Sequence, residues 1–494
     1  MSLALPDRWV RTPLLLVATY AALLITLGFR VYEDAAIPPW ALAKKHPENF
    51  QKDIFLTQVP PEREAILPLY VWLIDRWAWT FPLHAAFSLL LIGGLWSLAR
   101  SMGAAEGWAW VAVWIILPGL YHHHWGSNEL YYPQLQPSLL AKAVGVWVWV
   151  FLLKGKGGLA SAAAVLTTLF HPSVGLLTWG FSLPLLLKQR ERYWAAYLGA
   201  GAAVLGYAFY LSQRSLIPPT ERTLWEKLFI DFRMHMHFDP TSFRPTSHGL
   251  FLVLWIIGMY STWRQRSPLL WVFVLYGVGE LAYVANFYTV RWPPLIYVQL
   301  PRATVWLKPL GVFAGIALVA KRWRLPEPSL WSAALLAGLI GWSAFRLSRK
   351  EEVGRHYLQI FRWKEEEAYQ LGEWARSHLP PASLVASIPT EIGERAQFFC
   401  QRSGYLWLWA TLRYEAPRIY AERIYQLYGV DATKGKAAWR EIEKEGALYF
   451  EKLCRERPDS LRKWGITHVI VSASACLPLP LLWRGERIAL YAVP

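Results

Sequence analysis

Apolar runs follow one another from Leu14 to Phe345, separated by short polar stretches, and this succession restricts the chain more than any other feature. A bilayer span needs roughly 20 mainly apolar residues. Candidate spans centre on Leu14–Phe29, Leu83–Ala99, Trp108–Tyr121, Ser138–Leu153, Gly158–Phe170, Ser173–Leu187 and Tyr193–Ser212. Four more follow at Gly249–Trp263, Pro268–Phe287, Ala303–Ala320 and Ser329–Phe345. The sequence therefore predicts an α-helical polytopic membrane protein with about eleven spans, and it excludes a soluble, secreted or purely peripheral one. The runs flanking Phe170-His171-Pro172 also fit one broken helix. The first run is followed by Phe29-Arg30-Val31-Tyr32, which lacks a small-residue cleavage pattern, so an uncleaved first helix is expected.

Composition agrees with this reading. Only 17% of residues are charged, against about 25% in soluble proteins. The 30 tryptophans belong to a residue type that gathers at membrane–water interfaces. The net charge of +16 suggests a nucleic-acid binder only until its distribution is considered. With Arg8 and Arg11 cytoplasmic, the alternate loops carry Arg100, Lys154, Lys156, Lys188, Arg190, Arg192, Arg264, Arg266, Lys321, Arg322 and Arg324. Those segments hold only four acids, Asp7, Glu106, Glu191 and Glu327. Basic residues concentrated in short cytoplasmic loops are what the positive-inside rule requires. Most of the basic excess thus marks sidedness, and no nucleic-acid partner is expected.

The other loops are long, mixed in charge and rich in Pro, His, Tyr and Trp, and long irregular loops tend to carry function. They cover Arg30–Ala65 (extending to 82 with an interfacial segment), His122–Pro137, Gln213–Ser247 and Tyr288–Arg302. The expected organisation is a transmembrane domain, 1–345, and a soluble extracytoplasmic α/β domain, 346–494. Helices are predicted at Lys364–His378 and Pro417–Tyr428, and strands at Ser383–Ile388, Ile466–Ser472 and Arg487–Val493. Cys400, Cys454 and Cys476 all lie in the second domain, and either one disulfide or three unpaired thiols fits their number.

The first long loop opens with Tyr32-Glu33-Asp34. An ionised carboxylate at the mouth of a membrane helix can take a proton from an acceptor hydroxyl, or it can simply solvate the helix end. Asp53 is a weaker candidate in the same loop, and Ile66–Phe81, with Asp75-Arg76, fits an interfacial amphipathic helix. Within Phe232–Asp239 a spacing of two places His235, His237 and Asp239 on one side of an extended chain. Such a set suits a divalent metal, while Arg233 with a histidine suits a phosphate; a plain polar loop is the alternative. His122-His123-His124 with Asn128-Glu129 is a weaker version of the same pattern. Arg302, in Gln299-Leu300-Pro301-Arg302, and Arg291 are costly cations near the membrane. Either a phosphate held by the guanidinium or snorkelling explains them. Glu280 lies inside a span, where it balances Lys142 or Arg302 or stays protonated. Walker-type, dinucleotide-binding, CxxC zinc and serine-hydrolase motifs are all missing.

The order of these features resembles the GT-C superfamily of integral-membrane glycosyltransferases. A first helix precedes an acidic pair, Glu33-Asp34; a long loop with interfacial helices, many further spans and a soluble domain follow. The Gln299–Arg302 approach to a late helix, His171-Pro172, and Gly465-Ile466-Thr467-His468-Val469-Ile470-Val471 resemble bacterial members of that group. The resemblance implies inverting transfer of a sugar from a polyprenyl-phosphate-linked donor to a saccharide, lipid or protein acceptor on the outer face. Asp34 or Glu33 would be the base, and Arg302, Arg233 and His235 would meet the departing phosphate, with His237 and Arg291 as further candidates. A second Asp/Glu motif of the kind oligosaccharyltransferases use for metal is not evident, so no cofactor follows and a divalent metal stays open. The implied location is a bacterial or archaeal plasma membrane, with the N-terminus cytoplasmic. Two other classes fit the same layout: a transporter or flippase of a lipid-linked saccharide, and a non-catalytic envelope-assembly protein. Repeated halves, frequent in transporters, are not apparent.

Overall fold

The computed structural model describes residues 8–29, 37–56, 59–121, 123–126, 128–188, 191–214, 217–322, 363–408 and 416–494. The chain forms two compact units, each assembled from separated segments. The first takes residues 1–30, 78–213 and 236–358, and the second takes 31–77, 214–235 and 359–494.

The first unit is helical. Its elements are α1 (Arg8–Leu27), α2 (Thr80–Ser101), α3 (Glu106–Trp114), α4 (Pro137–Leu153), α5 (Gly157–Phe170), α6 (Pro172–Ser182), α7 (Glu191–Gln213), α8 (Pro245–Arg264), α9 (Leu269–Tyr288) and α10 (Thr304–Arg322). Among the described residues four helical stretches are long and apolar enough to cross a membrane: Trp77–Ser101, Trp194–Gln213, Leu269–Tyr288 and Pro293–Ala320. Four shorter apolar helices, Thr12–Leu27, Pro137–Leu153, Gly157–Phe170 and Pro172–Leu186, accompany them. The expected span at Ser329–Phe345 lies outside the described residues.

Apart from Ser138 and Lys142, helix α4 is apolar, and it is buried along almost its whole length, which makes it the core of this unit. Its neighbours come close through small residues. A Cβ at Gly94 of α2 would lie 2.2 Å from Val146 Cγ1, so only glycine permits that backbone approach. Gly145 lies against Trp306 and Thr178, and the Trp306 indole donates to Thr178 Oγ1 at 2.9 Å. At Phe170-His171-Pro172 the chain does break. His171 is extended (φ −155°, ψ 103°), Pro172 starts α6, and Gly175 sits directly on Thr168. The two runs are separate helices folded back on each other, because proline cannot continue the α5 hydrogen-bond ladder. Helix α3 ends in a π-turn, Ile115–Gly119, that contains Pro118.

The second unit holds a five-stranded sheet of order β2-β1-β3-β5-β4. Its strands are β1 (Leu384–Ser387), β2 (Ser403–Gly404), β3 (His468–Ser472), β4 (Leu481–Arg484) and β5 (Ile488–Ala492). β1 runs parallel to β2 and β3, while β5 is antiparallel to β3 and β4. β1 is buried along its whole length, and β3 and β5 at all but their last residue, as expected of strands covered on both faces. Four helices accompany the sheet: α11 (Glu367–His378), α12 (Glu391–Cys400), α13 (Pro417–Tyr428) and α14 (Lys436–Glu456). The predicted strands and both predicted helices are found within a few residues of their expected limits. Ile66–Phe81 is not one helix: the ladder closes at Leu73, where Arg76 N–H bonds back to Leu73 O at 2.7 Å, and Asp75 pairs with Lys45. Cys400, Cys454 and Cys476 are all unpaired.

Asp53 belongs to this unit's scaffold. Its carboxylate accepts from the N–H of Phe55 at 2.9 Å, Leu56 at 3.0 Å and Gly404 at 2.8 Å, and from the Trp407 indole at 2.6 Å. It is fully buried, and burial raises its pKa to about 6 against the pull of those donors. This side chain ties the first long loop to the β2 segment, so the catalytic candidacy of Asp53 gives way to a structural role.

Candidate functional site

In the first unit, the loop between α3 and α4 carries a nearly buried carboxylate, Glu129. His124 Nε2 lies 3.1 Å from Glu129 Oε1, and Lys308 Nζ lies 4.0 Å from Oε2. Lys142, fully buried in α4, donates to the Glu129 carbonyl and sits 4.4 Å above the Tyr132 ring, a cation–π geometry. The Glu129 N–H donates to the Tyr132 hydroxyl at 3.1 Å. Lys308, 2% exposed in α10, donates to Leu120 O at 2.8 Å. Both ammonium groups are therefore held in place by carbonyls of the same loop.

Arg302 meets the same loop. Gln299 takes a left-handed conformation (φ +55°), and Pro301 opens the short 3₁₀ turn Leu300–Ala303 that leads into α10. The Arg302 carbonyl accepts from Asn128 Nδ2 at 2.9 Å. Gly126 also has φ +62°, and a Cβ there would stand 2.9 Å from Arg302 Cγ and 3.2 Å from His237 O. Glycine is required at this position on both counts. His237 Nδ1 lies 2.5 Å from Gly126 O, which places His237 beside Arg302.

The electrostatics are those of a cation-rich cluster around one acid. Burial pushes the Glu129 carboxyl up to about 7, while Lys308, Lys142 and Arg244 pull it back. Burial lowers His123, and the Lys308 and Arg244 charges lower it further. Burial raises Tyr132 to about 12, with Arg302 the largest opposing influence. Lys142, Lys308, Arg302 and Arg244 thus act on one loop that contributes a single carboxylate. Two of these cations, Lys142 and Lys308, are buried, and buried cations in excess over acids call for an anion.

The other sequence candidates are distributed differently. Glu33, Asp34 and His122 lie outside the described residues. Arg233 and His235 belong to the second unit, where Arg233 stacks 5.3 Å over Trp439 and His235 Nδ1 meets Phe232 O at 2.8 Å. His235–Phe238 forms a helical turn, not an extended chain, so a spacing of two separates His235 from His237. Asp239 caps the next turn, accepting from Thr241 N–H at 2.9 Å, and its other oxygen accepts from the Ser242 hydroxyl at 3.2 Å. Among the described residues no three His, Cys, Asp or Glu side chains gather as a metal site. Arg291 is exposed and packs 5.1 Å over Phe287. Glu280 balances neither Lys142 nor Arg302: both of its carboxyl oxygens are buried with no hydrogen-bond partner among the described residues. Lys308 and Arg244 were the residues that sequence reasoning passed over. A lysine in the middle of an apolar run, Trp306-Leu307-Lys308-Pro309, was the available signal.

No protein-family model matches the chain, and no curated protein matches it at the level of sequence. Its fold is similar to ArnT from Cupriavidus metallidurans bound to undecaprenyl phosphate, with a TM-score of 0.41 and 14% identity over 98% of both chains. The apo state of the same protein gives 0.39 and 13% with the same coverage. Arabinofuranosyltransferase AftD from Mycobacteria gives 0.44 and 14%, over all of this chain and 42% of that one. ArnT and AftD are GT-C superfamily glycosyltransferases. At TM-scores below 0.5 these neighbours assign no role to any residue.

Proposed function

We propose that the chain is a membrane glycosyltransferase of the GT-C type, moving a sugar from a polyprenyl-phosphate-linked donor to an acceptor at the outer membrane face, with inversion. One observation carries the reading: Lys142, Lys308, Arg302 and Arg244 surround a loop whose only carboxylate is Glu129, at the ends of apolar helices. A lipid phosphate is an anion that reaches such a place from the bilayer, and negative charge accumulates on it as the glycosidic bond breaks. Preorganised cations stabilise that charge without reorganising.

In this reaction the acceptor oxygen attacks the anomeric carbon from the face opposite the phosphate. The carbon–oxygen bond to the phosphate breaks, and the bonding pair leaves with the polyprenyl phosphate. The acceptor proton passes to a carboxylate, for which Asp34, or Glu33 beside it, is the candidate. Arg302, Lys308 and Lys142 hold the departing phosphate, with His237 as a further donor. Arg233, His235 and Arg291 are secondary candidates, because the first two are engaged with Trp439 and Phe232 and Arg291 with Phe287. The eleven-span arrangement, the division at 345/346, the plasma-membrane location and acceptor binding by the soluble domain are parts of the same proposal.

The test is transfer by the purified full-length protein from an undecaprenyl-phosphate-linked sugar to membrane-extracted acceptors. Asp34→Asn is expected to abolish transfer while the apparent Tm stays at the wild-type value. Arg302→Ala is expected to lower kcat more than it raises KM, because the charge it meets develops in the transition state. Unchanged transfer by both variants defeats the assignment.

A further inference from the structure

An open cavity lies at the turn between α8 and α9. It is a cavity of about 630 Å³ lined by Trp263, Arg264, Arg266, Ser267, Pro268 and Trp271, with Leu270 at its side. Trp263 is 61% exposed and Trp271 56%, and both guanidinium residues are exposed as well. Neither Arg264 nor Arg266 has an ion-pair partner among the described residues.

The turn is held rigidly. Arg266 takes a left-handed conformation, φ +50°, which a long side chain adopts only when its surroundings impose it. Ser267 N–H bonds back to Thr262 O at 2.9 Å, and Arg266 N–H to Trp263 O at 3.0 Å. Below the turn, Gln265 Nε2 donates to Ser261 Oγ at 2.9 Å, and Ser261 Oγ donates to Ala314 O at 2.7 Å in α10. The two arginines therefore line, together with two indoles, a cavity set on a fixed turn.

We infer that this cavity is a binding site for the phosphate of an anionic phospholipid, held by Arg264 and Arg266 with Trp263 and Trp271 against the glycerol and upper acyl region. Guanidinium binds phosphate in a planar, two-donor fashion, and indoles settle at the level of lipid head groups. Neither the position of Glu129 nor the transferase reading enters into it. Free phosphate shares the head-group chemistry but offers the indoles nothing to cover, and the exposed indoles favour the lipid.

Native mass spectrometry of the full-length protein in detergent tests the site, with phosphatidylglycerol and phosphatidylcholine offered at equal concentration. Wild-type protein is expected to retain phosphatidylglycerol at least tenfold better than phosphatidylcholine. Arg264→Ala/Arg266→Ala is expected to lose most of that preference, and Trp263→Ala/Trp271→Ala to weaken retention of phosphatidylglycerol severalfold. Lys154→Ala/Lys156→Ala, which removes the same charge from another short loop, is expected to keep the preference. Equal loss in the two charge-removing variants would overturn the inference, as would an unchanged preference in Arg264→Ala/Arg266→Ala. Displacement of the lipid by millimolar inorganic phosphate would assign the cavity to the free ion and overturn the lipid site. Apparent Tm values for each variant separate loss of binding from loss of fold.

Discussion

Replacing Glu129 by glutamine should change the way stability depends on pH, and the size of the change follows from its surroundings. Its carboxyl is raised from an ordinary 4.5 to about 7, so the folded protein binds this proton more tightly than the unfolded chain does. The associated stability is fully present below about pH 4.5 and is lost as pH rises through about 7. A difference of about 2.5 pH units corresponds to roughly 3 kcal/mol at 1.36 kcal/mol per unit. Glutamine keeps the shape and cannot ionise, so the variant lacks this decline. At about 2 °C per kcal/mol or less for a chain of this size, wild-type apparent Tm should fall by several degrees more than that of Glu129→Gln between pH 5 and 8. Lys308→Met sharpens the test. At 4.0 Å and an effective dielectric constant near 20, Lys308 and Glu129 attract by about 4 kcal/mol. Losing that attraction moves the Glu129 carboxyl still higher and extends the decline to more alkaline pH. Thermal unfolding in one detergent, across a pH series, reads all three proteins. Parallel pH profiles for wild type and Glu129→Gln would refute the reasoning.

Further outcomes follow from individual contacts. Gly126→Ala combines a left-handed φ of +62° with a Cβ 2.9 Å from Arg302 Cγ, and should cost about 1–3 kcal/mol, read as a lower Tm. Asp53→Ala removes the acceptor of four hydrogen bonds inside the second unit and should cost about 3 kcal/mol or more, whereas Asp53→Asn should recover part of it; hydrogen exchange at Gly404 distinguishes the two. Gly94→Val, which must displace Val146 in α4, is expected to prevent stable folding, measured as the yield of monodisperse protein.

Much of the architecture was legible because its causes are local. Apolar runs of bilayer length mark helices without any knowledge of their partners, and the short, nearly continuous apolar runs of β1, β3 and β5 are those of a sheet covered on both faces. His171-Pro172 was legible as a break, since proline removes a hydrogen bond wherever it occurs, although the folding back of α6 on α5 depends on Gly175 meeting Thr168. The candidate site was legible only in part. Arg302 stood out as a costly cation at a helix end. Glu129 and Lys142, by contrast, are thirteen residues apart and meet through a carbonyl, and Lys308 arrives from a distant helix. No sequence period encodes such a meeting. The His235–Asp239 spacing misled because an i, i+2 pattern has meaning only in an extended chain, and this segment turns helically. Asp53 looked like a loop acid, and only the approach of Gly404 and Trp407 explains why it is buried.

The central claim is that the cations around Glu129 receive a lipid phosphate, and direct binding of undecaprenyl phosphate to the full-length protein tests it most closely. Affinity is compared among wild type, Arg302→Ala, Lys308→Met and the distant Lys154→Ala/Lys156→Ala, each checked for an intact fold by its apparent Tm. Removing one cation from a desolvated phosphate site costs about 2–5 kcal/mol, so Arg302→Ala and Lys308→Met should each weaken binding by at least tenfold, with the distant variant unchanged. Wild-type affinity in both Arg302→Ala and Lys308→Met would contradict the account.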